Sequence, residues 1–472
     1  MTDRGRRAFL TAAAGSVIAA AAIGAASATP AAGRSVSPAT HGVKRRRPAV
    51  PDPTGWCASS WASDRWSLGS YSALPIGCPP ATRDDLGWVL LGDRITLAGE
   101  YADPDHPATT NGAYASGRRS AGRLLDRVAP RSALVIGAGM AGAAAAQRLA
   151  AAGVRVHVLE ARDRIGGRIH SAAMWGTQVE LGASWVHGVR GNPVAALVRA
   201  DGLGLIPTDY DDTVVRDTVT GRVSSEADRR WGQLDRLMGR MESQWSSLAT
   251  SSATWLSDRG WIDDRIGRWA TQVELVQEYG LDATRLAARA TQEGDDLRGG
   301  DAMVAGGYAR IPELLLGGID VSLSMPVTHV RRDGRTVEVR TAAGRRLTAD
   351  AVVVAVPLAL LQSGSPQIEP MPSWVRTSIR RLATGSLEKV VLRFGEQWWG
   401  DQRVIGVVGG GVPGAPAGSA ASLRWTEFSS VSDVLGLPAL MALSGGSAAR
   451  SKPRSQRACA DEAMAMLRHA FG

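Results

Sequence analysis

Gly137-Ala138-Gly139-Met140-Ala141-Gly142 follows the apolar run Ala133-Leu134-Val135-Ile136 and opens an Ala-rich stretch closed by Gly153. A second apolar run, Val154 to Leu159, ends at Glu160. Residues of these types at this spacing bind a dinucleotide. The glycines let the backbone approach a pyrophosphate. The following helix turns N–H groups and its positive dipole end toward the phosphates, and the acid after the second strand accepts hydrogen bonds from a ribose. Gly137, Gly139, Ala141, Gly142 and Glu160 are therefore the first candidate cofactor residues. The unit by itself fits NAD as well as FAD.

The elements around this unit read as an α/β chain. At 472 residues it is long enough for two or three structural units with large cores. Gly55 to Leu86 is a Trp/Ser/Gly-rich, strand-like stretch. Trp88 to Val128 holds a short strand, a turn and a helix beginning near Asn111, and Ala129-Pro130-Arg131-Ser132 connects it to the first strand of the βαβ unit. Residues 193–298 read as helix-rich. Strands are expected over Val327 to Val330, Thr336 to Thr341, Arg345 to Ala349 and Val352 to Val356, with turns at Asp333-Gly334 and Gly344. A strand over Lys389 to Phe394 and a helix near Ala460 to Phe471 follow, and no internal repeat is present.

Leu97-Ala98-Gly99-Glu100-Tyr101 and Pro107-Ala108-Thr109-Thr110-Asn111-Gly112 resemble the closing signature of the flavin-dependent amine oxidases. Leu159-Glu160-Ala161-Arg162, Gly166-Gly167-Arg168 and Glu180-Leu181-Gly182-Ala183-Ser184-Trp185-Val186-His187-Gly188 resemble that family's flavin-binding and active-site segments. The likeness extends to polyamine oxidases, monoamine oxidases and flavin-dependent histone demethylases, and is weakest over about 208–295. It implies a Rossmann-like FAD-binding domain and a mixed-sheet substrate domain with a helical part. In the family the closing signature ends the chain. Here it precedes the glycines, so the resemblance implies a circularly permuted order. The segments would be a substrate-domain piece with an aromatic cage at 51–87 and FAD-domain pieces at 88–128, 132–192 and 299–357. The helical substrate part would be 193–298, and the substrate-domain sheet with a final helix 358–472.

The same resemblance implies residue roles. Arg162, Gly167 and Arg168 would join the cofactor set, with Arg168 compensating pyrophosphate charge. Gly182, Ala183, Ser184 and Trp185 would lie along the isoalloxazine, Val327 would meet the adenine, and Gly99 with Glu100 the ribityl–pyrophosphate region. Thr109 and Thr110 would sit at the pyrimidine end. Tyr71 matches a wall of the family's aromatic cage, Trp66 a residue packed on the ring system, and Thr109 the second cage position. Trp61, Trp398 and Trp399 fit core packing equally well. Ser70 stands where monoamine oxidases carry a flavin-linking Cys, so FAD is expected to be non-covalent.

The implied chemistry is hydride removal from the carbon next to a neutral amine to flavin N5, imine hydrolysis, and reoxidation by oxygen with release of hydrogen peroxide. The amine must first lose its proton, and His187 is a candidate to bind or deprotonate it. Val354-Ala355-Val356-Pro357-Leu358-Ala359-Leu360-Leu361-Gln362 resembles a family strand and turn ending in a Lys that holds a water near N5. Gln362 there would weaken oxygen reduction and favour an electron acceptor other than oxygen, as in a dehydrogenase, desaturase or L-amino-acid oxidase-like enzyme. A non-catalytic FAD-binding envelope protein is a further alternative. Lys389, in a segment resembling Lys-Val-Val-Leu, is expected to be structural. His187-Gly188 and Gly191-Asn192-Pro193 look more like polyamine oxidases than monoamine oxidases. Asp209, Asp211, Asp212, Glu293, Asp295 and Asp296 are candidates for a cation-attracting entrance.

The first thirty residues read as a signal. Arg6-Arg7-Ala8-Phe9-Leu10, a weakly apolar Ala/Gly run and Ala26-Ser27-Ala28 read as a twin-arginine signal over 1–28, recognised by that export machinery and cleaved so that no membrane span remains. The net charge of +9 comes partly from Lys44-Arg45-Arg46-Arg47 in a linker over 29–50. No nucleic-acid motif accompanies it. Of the three cysteines, Cys57 and Cys78 could pair outside the cytoplasm, leaving Cys459 over. No Cys/His cluster has metal-ligand spacing.

Overall fold

The computed structural model describes residues 50–208, 212–295, 297–409, 415–416 and 418–472. The expected signal, most of the linker, and Asp209, Asp211 and Asp296 lie outside the described residues.

Two sheets organise the molecule. The first is five-stranded and wholly parallel, in the order Asp320–Ser322, Arg155–Leu159, Ser132–Ile136, Ala351–Val354, Ile95–Leu97. Its central strands are near-continuous aliphatic runs because both faces are covered. Helices Met140–Ala151 and Thr110–Val128 pack on one face through Ala and Gly. Their approach is close. An ideal Cβ on Gly117 would stand 2.0 Å from the Ala141 carbonyl oxygen, so only glycine fits there. Helix Thr110–Val128 ends on Ala129 in the left-handed region, φ 47°. Pro130 and Arg131 then bring the chain into the strand from Ser132, whose N–H and hydroxyl both bond Asp350.

The second sheet has seven strands in the order Gly55–Ala58, Leu387–Arg393, Ala439–Gly445, Glu427–Ser430, Val404–Val408, Thr213–Asp217, Arg222–Val223. All its pairs are antiparallel except Thr213–Asp217 with Val404–Val408. Helix Gln456–Phe471 covers its outer face around Phe394, Trp399, Trp425 and Phe428. Trp398 and Trp399 meet Phe394 and each other edge-to-face there, and Trp398 meets Phe471 in the same way. The segment entering Gly55 sits beside the end of that helix: Val50 and Phe471 pack against the same buried cluster, and Asp52 pairs with Arg468.

Several expectations change. The 193–298 stretch contributes strands as well as helices, because the β-branched run at Thr213-Val214-Val215 finds an open edge at Val404–Val408. Within Gly55 to Leu86 only Gly55–Ala58 and Ser72–Ala73 are strands. Around Asp64 the chain turns instead, its carbonyl accepting the N–H groups of Ser67 and Leu68. Cys57 and Cys78 do not form a disulfide. Both are buried thiols in different apolar clusters, Cys57 with Leu181 and Trp185, Cys78 with Leu74 and Leu86. Burial pushes the Cys57 thiol up to about 12. No helix among the described residues is long and apolar enough to cross a membrane.

Candidate active site

A cleft of about 720 Å³ runs between the two sheets. This lies within the roughly 300–1,000 Å³ of cofactor and ligand clefts. Its floor is the turn between Ile136 and Met140. Gly139 caps helix Met140–Ala151, and a Cβ built on it meets nothing closer than 3.8 Å, so the turn leaves a groove beside the helix N-terminus. Gly137 and Ala141 also line the cleft, while Gly142 lies behind it, its ideal Cβ 1.9 Å from the Gly137 carbonyl oxygen. Glu160 accepts the N–H groups of Ala138 at 2.7 Å and Arg162 at 2.8 Å, which locks the acid beside the turn. Val327 contributes to the wall next to Leu159 and Met325.

A chain of buried charge crosses the cleft. Arg168 donates to Glu100 at 2.9 Å, Glu100 accepts from the Ser72 hydroxyl at 2.6 Å, and Ser72 accepts from Arg83 at 2.6 Å. Arg83 in turn holds Glu293 through two nitrogens. Burial alone would raise the Glu100 carboxyl, but Arg168, Ser72 and Arg83 together outweigh it and hold the group below its ordinary range. Arg162 forks onto Asp64 at 2.8 and 2.6 Å and also reaches Ser67.

The opposite wall brings together the proposed reactive residues. Tyr71 lines the cleft with its hydroxyl on the Gln277 carbonyl at 2.5 Å, and burial raises its phenol well above the ordinary value. Trp66 lies nearby under the Arg65 guanidinium. Trp61 also lines the cleft, its indole N–H on the Leu181 carbonyl. Gly182, Ala183, Ser184 and Trp185 form the adjoining strip, and Gly99 with Gly167 the edge. Thr109 caps its helix by accepting Gly112 N–H, and the Thr110 hydroxyl bonds Tyr308 at 2.6 Å. His187 lines the cleft with Nδ1 2.9 Å from Asp301. Ser70 binds the Leu387 backbone in both directions.

Two expectations exchange places. Gln362 is not a cleft residue. Its amide nitrogen donates to the carbonyls of Ile379 and Leu382, and its oxygen accepts from Thr384, so it ties helix Leu358–Gln362 to the end of helix Ser373–Arg381. Lys389, expected to be structural, enters the cleft instead. Its ammonium contacts the Gly182 carbonyl and the Ser184 hydroxyl and stands 5.2 Å from the Trp185 ring centroid. Burial lowers Lys389 to about 7 despite the Glu180 carboxylate.

At the far end the cleft turns acidic. Glu293 and Asp295 line it as anticipated, but Asp212 does not; it lies exposed where its carbonyl accepts Val404 N–H. Glu242, Glu274 and Glu278, which the sequence reading missed, also line it. They come from helix Ser225–Ser243 and from the π-helical turn Gln272–Gln277 with the residue after it. A π-turn is a recurrent mark of functional sites, but its register is invisible in sequence. Gln277 on that turn keeps a buried amide nitrogen without a protein partner, facing the same cleft.

Known proteins bear on this geometry. Polyamine oxidase 3 of Oryza sativa subsp. japonica is 34% identical over 300 residues, 59% of this chain and 62% of that protein's length. The chain thus matches less than two thirds of that relative. Probable polyamine oxidase 4 of Arabidopsis thaliana is 30% identical over 365 residues, 72% of this chain and 71% of its own length. Lysine-specific histone demethylase 2 of Homo sapiens is 30% identical over 307 residues, 58% of this chain and 36% of its length. A wild-type putrescine oxidase bound to putrescine shares the fold, with a TM-score of 0.55 over 72% of this chain and 82% of that one at 21% identity. The model of the flavin containing amine oxidoreductases matches residues 36–125 and 140–472. The chain belongs to the flavin containing amine oxidoreductase family.

Proposed function

We propose that the protein is an FAD-dependent amine oxidase acting on an extended amine with a second cationic nitrogen, of the polyamine type. One observation carries this reading: a single cleft runs from the glycine turn past Tyr71, His187 and Lys389 to Glu242, Glu274 and Glu278. The residues suit FAD. The groove at Gly139 leaves room for a pyrophosphate at a helix N-terminus, Glu160 is oriented by two N–H groups, and Arg168 supplies positive charge. With Ser70 hydrogen-bonded to backbone, and no Cys at that position, the cofactor is held non-covalently. Bound FAD would supply the oxidation of the carbon next to the amine and the return of electrons to oxygen as peroxide.

The chain's own residues supply the rest. Tyr71 and Trp66 give an apolar wall that orients the substrate and excludes water. The carboxylates attract a distal ammonium. Lys389 exchanges a proton near neutral pH and brings a cation to the strip formed by Gly182 to Trp185. Gln362 would favour another electron acceptor only from within the cleft. That side chain hydrogen-bonds elsewhere, so oxygen remains the favoured acceptor.

The permuted order belongs to the same proposal. It is supported by the direct passage from helix Thr110–Val128 into the strand from Ser132 and by the contact of Asp52 with Arg468. Partial coverage of the relatives fits it too, since a collinear comparison cannot span a rotation. Twin-arginine export rests on residues 1–28 alone, and fractionation of cells with Arg6 and Arg7 changed to Lys tests it. The activity is tested by peroxide release from an amine panel. Di- and polyamines should give peroxide, with FAD recovered in the supernatant after heat denaturation. No peroxide from any amine, or a preference for singly charged amines, would overturn the reading.

A further inference from the structure

Behind His187 stands a carboxylate that the family segments do not explain. The strand Trp185–Val186 pairs antiparallel with Ala302–Ala305, Val186 opposite Ala302. One step further along this ladder puts His187 opposite Asp301. Asp301 is fully buried, whereas His187 keeps 29% of its side chain exposed toward the cleft. One Asp301 oxygen lies 2.9 Å from His187 Nδ1, and the other accepts Gly188 N–H at 3.0 Å. The Asp301 carbonyl is fixed by Thr208 N–H, and the His187 carbonyl by the Asn192 amide at 3.0 Å. The main-chain carbonyls of both residues are thus held in place, His187 by a side-chain amide and Asp301 by a backbone N–H.

We propose that Asp301 is a positioning residue for the amine reaction: it holds His187 with Nδ1–H toward its carboxylate, so that Nε2 takes the proton of the bound substrate ammonium. The inference rests on the amine oxidase reading. In the step, the N–H bond of the ammonium breaks, its electron pair stays on the now neutral amine, and an Nε2–H bond forms. The imidazolium that results faces the Asp301 side chain and returns its proton to solvent through its exposed edge. A buried acid behind an imidazole fixes the tautomer and raises the basicity of the far nitrogen. Among the described residues, other charged groups near the pair include Asp295 and Arg298 on the stretch leading into Asp301, Arg190, whose backbone pairs with that of Arg298, and Lys389 beyond the Trp185 ring.

The test is the anaerobic rate of flavin reduction by a polyamine in the wild-type holoenzyme, Asp301→Asn and His187→Gln, from pH 6 to 10. Asn keeps an acceptor for Gly188 N–H and removes the charge. At pH 7 each variant should reduce roughly a hundredfold more slowly. That deficit should close as the pH nears the alkylammonium pKa of about 10, where solvent performs the deprotonation. The double variant should be no slower than either single one. Lys389 titrates in all these proteins and drops out of the ratios. A ratio constant across pH, or unchanged rates, overturns the proposal while leaving the amine reading intact. Should Asp301→Asn fail to hold flavin, Asp301→Ser, which removes the charge with a smaller side chain, decides by the same criterion. A wild type that no amine reduces overturns both.

Discussion

Lys389 and Gln362 illustrate what a side chain's surroundings decide. Lys389, inside the strand Leu387–Arg393, enters the cleft beside Gly182 and Ser184, while Gln362, at the end of helix Leu358–Gln362, satisfies two helix-end carbonyls. Lys389→Met should therefore slow reoxidation of the reduced flavin by oxygen roughly ten- to a hundredfold, with little change in reduction by amine, as stopped-flow with oxygenated buffer would show. Gln362→Ala should leave that rate unchanged and cost about 1–3 kcal/mol in a denaturation curve, because buried carbonyls lose their donor. Lys389 also makes stability depend on pH. The folded protein binds this proton less tightly than the unfolded chain, titrating near 7 rather than 10.5, so stability from this group rises between those values and the rise disappears in Lys389→Met. The glycine turn and Glu160 were legible because their chemistry is contiguous in sequence. Lys389 was not, since Val390, Val391 and Leu392 are apolar on both faces of their strand and give no alternation to show which face meets a cleft.

At the scale of elements, contacts between segments matter more than their own propensities. Helices Thr110–Val128 and Met140–Ala151 touch through Gly117 and the Ala141 carbonyl. Gly117→Ala should destabilise the protein by about 1–3 kcal/mol and weaken FAD retention, since the helix carrying the glycine turn must shift. In the large sheet, Glu427 lies on the strand face opposite Phe428 and is buried, which raises its carboxyl to about 7 from 4.5. The folded state therefore binds this proton more tightly, and the contribution is lost as pH rises through 7. Glu427→Gln should stabilise the protein by about 2 kcal/mol at pH 8 and leave it nearly unchanged at pH 4. The strands and helices near the glycine turn were readable from apolar runs and caps. The π-turn carrying Glu274 and Gln277 was not, because an acid on a helix has no signature that separates a cleft-facing position from a solvated one.

For the whole molecule, early and late parts of the chain are woven into the same layers. The strand Ile95–Leu97 completes the parallel sheet beside Ala351–Val354, and Gly55–Ala58 completes the large sheet beside Leu387–Arg393. If the order is a rotation of the family's, a gene opened within Ala129–Arg131, with Gly472 joined by a short linker to about Pro51, should still give a yellow protein with the same far-ultraviolet circular dichroism. Loss of FAD binding in a soluble rearranged protein would count against the rotation. The motif order that suggests a rotation is read from the sequence; the closeness of Asp52 to Arg468, which a rotation would need, is not.

The central claim is that one cleft brings a bound flavin and an extended cationic amine together. Anaerobic mixing of the purified holoprotein with amines of graded length and charge, followed by visible flavin absorbance, tests it most directly. The flavin should bleach fastest with di- and polyamines, and Glu274→Gln with Glu278→Gln should weaken that preference relative to a monoamine. A flavin that stays oxidised with every amine, or a colourless protein after FAD is supplied, would contradict the account.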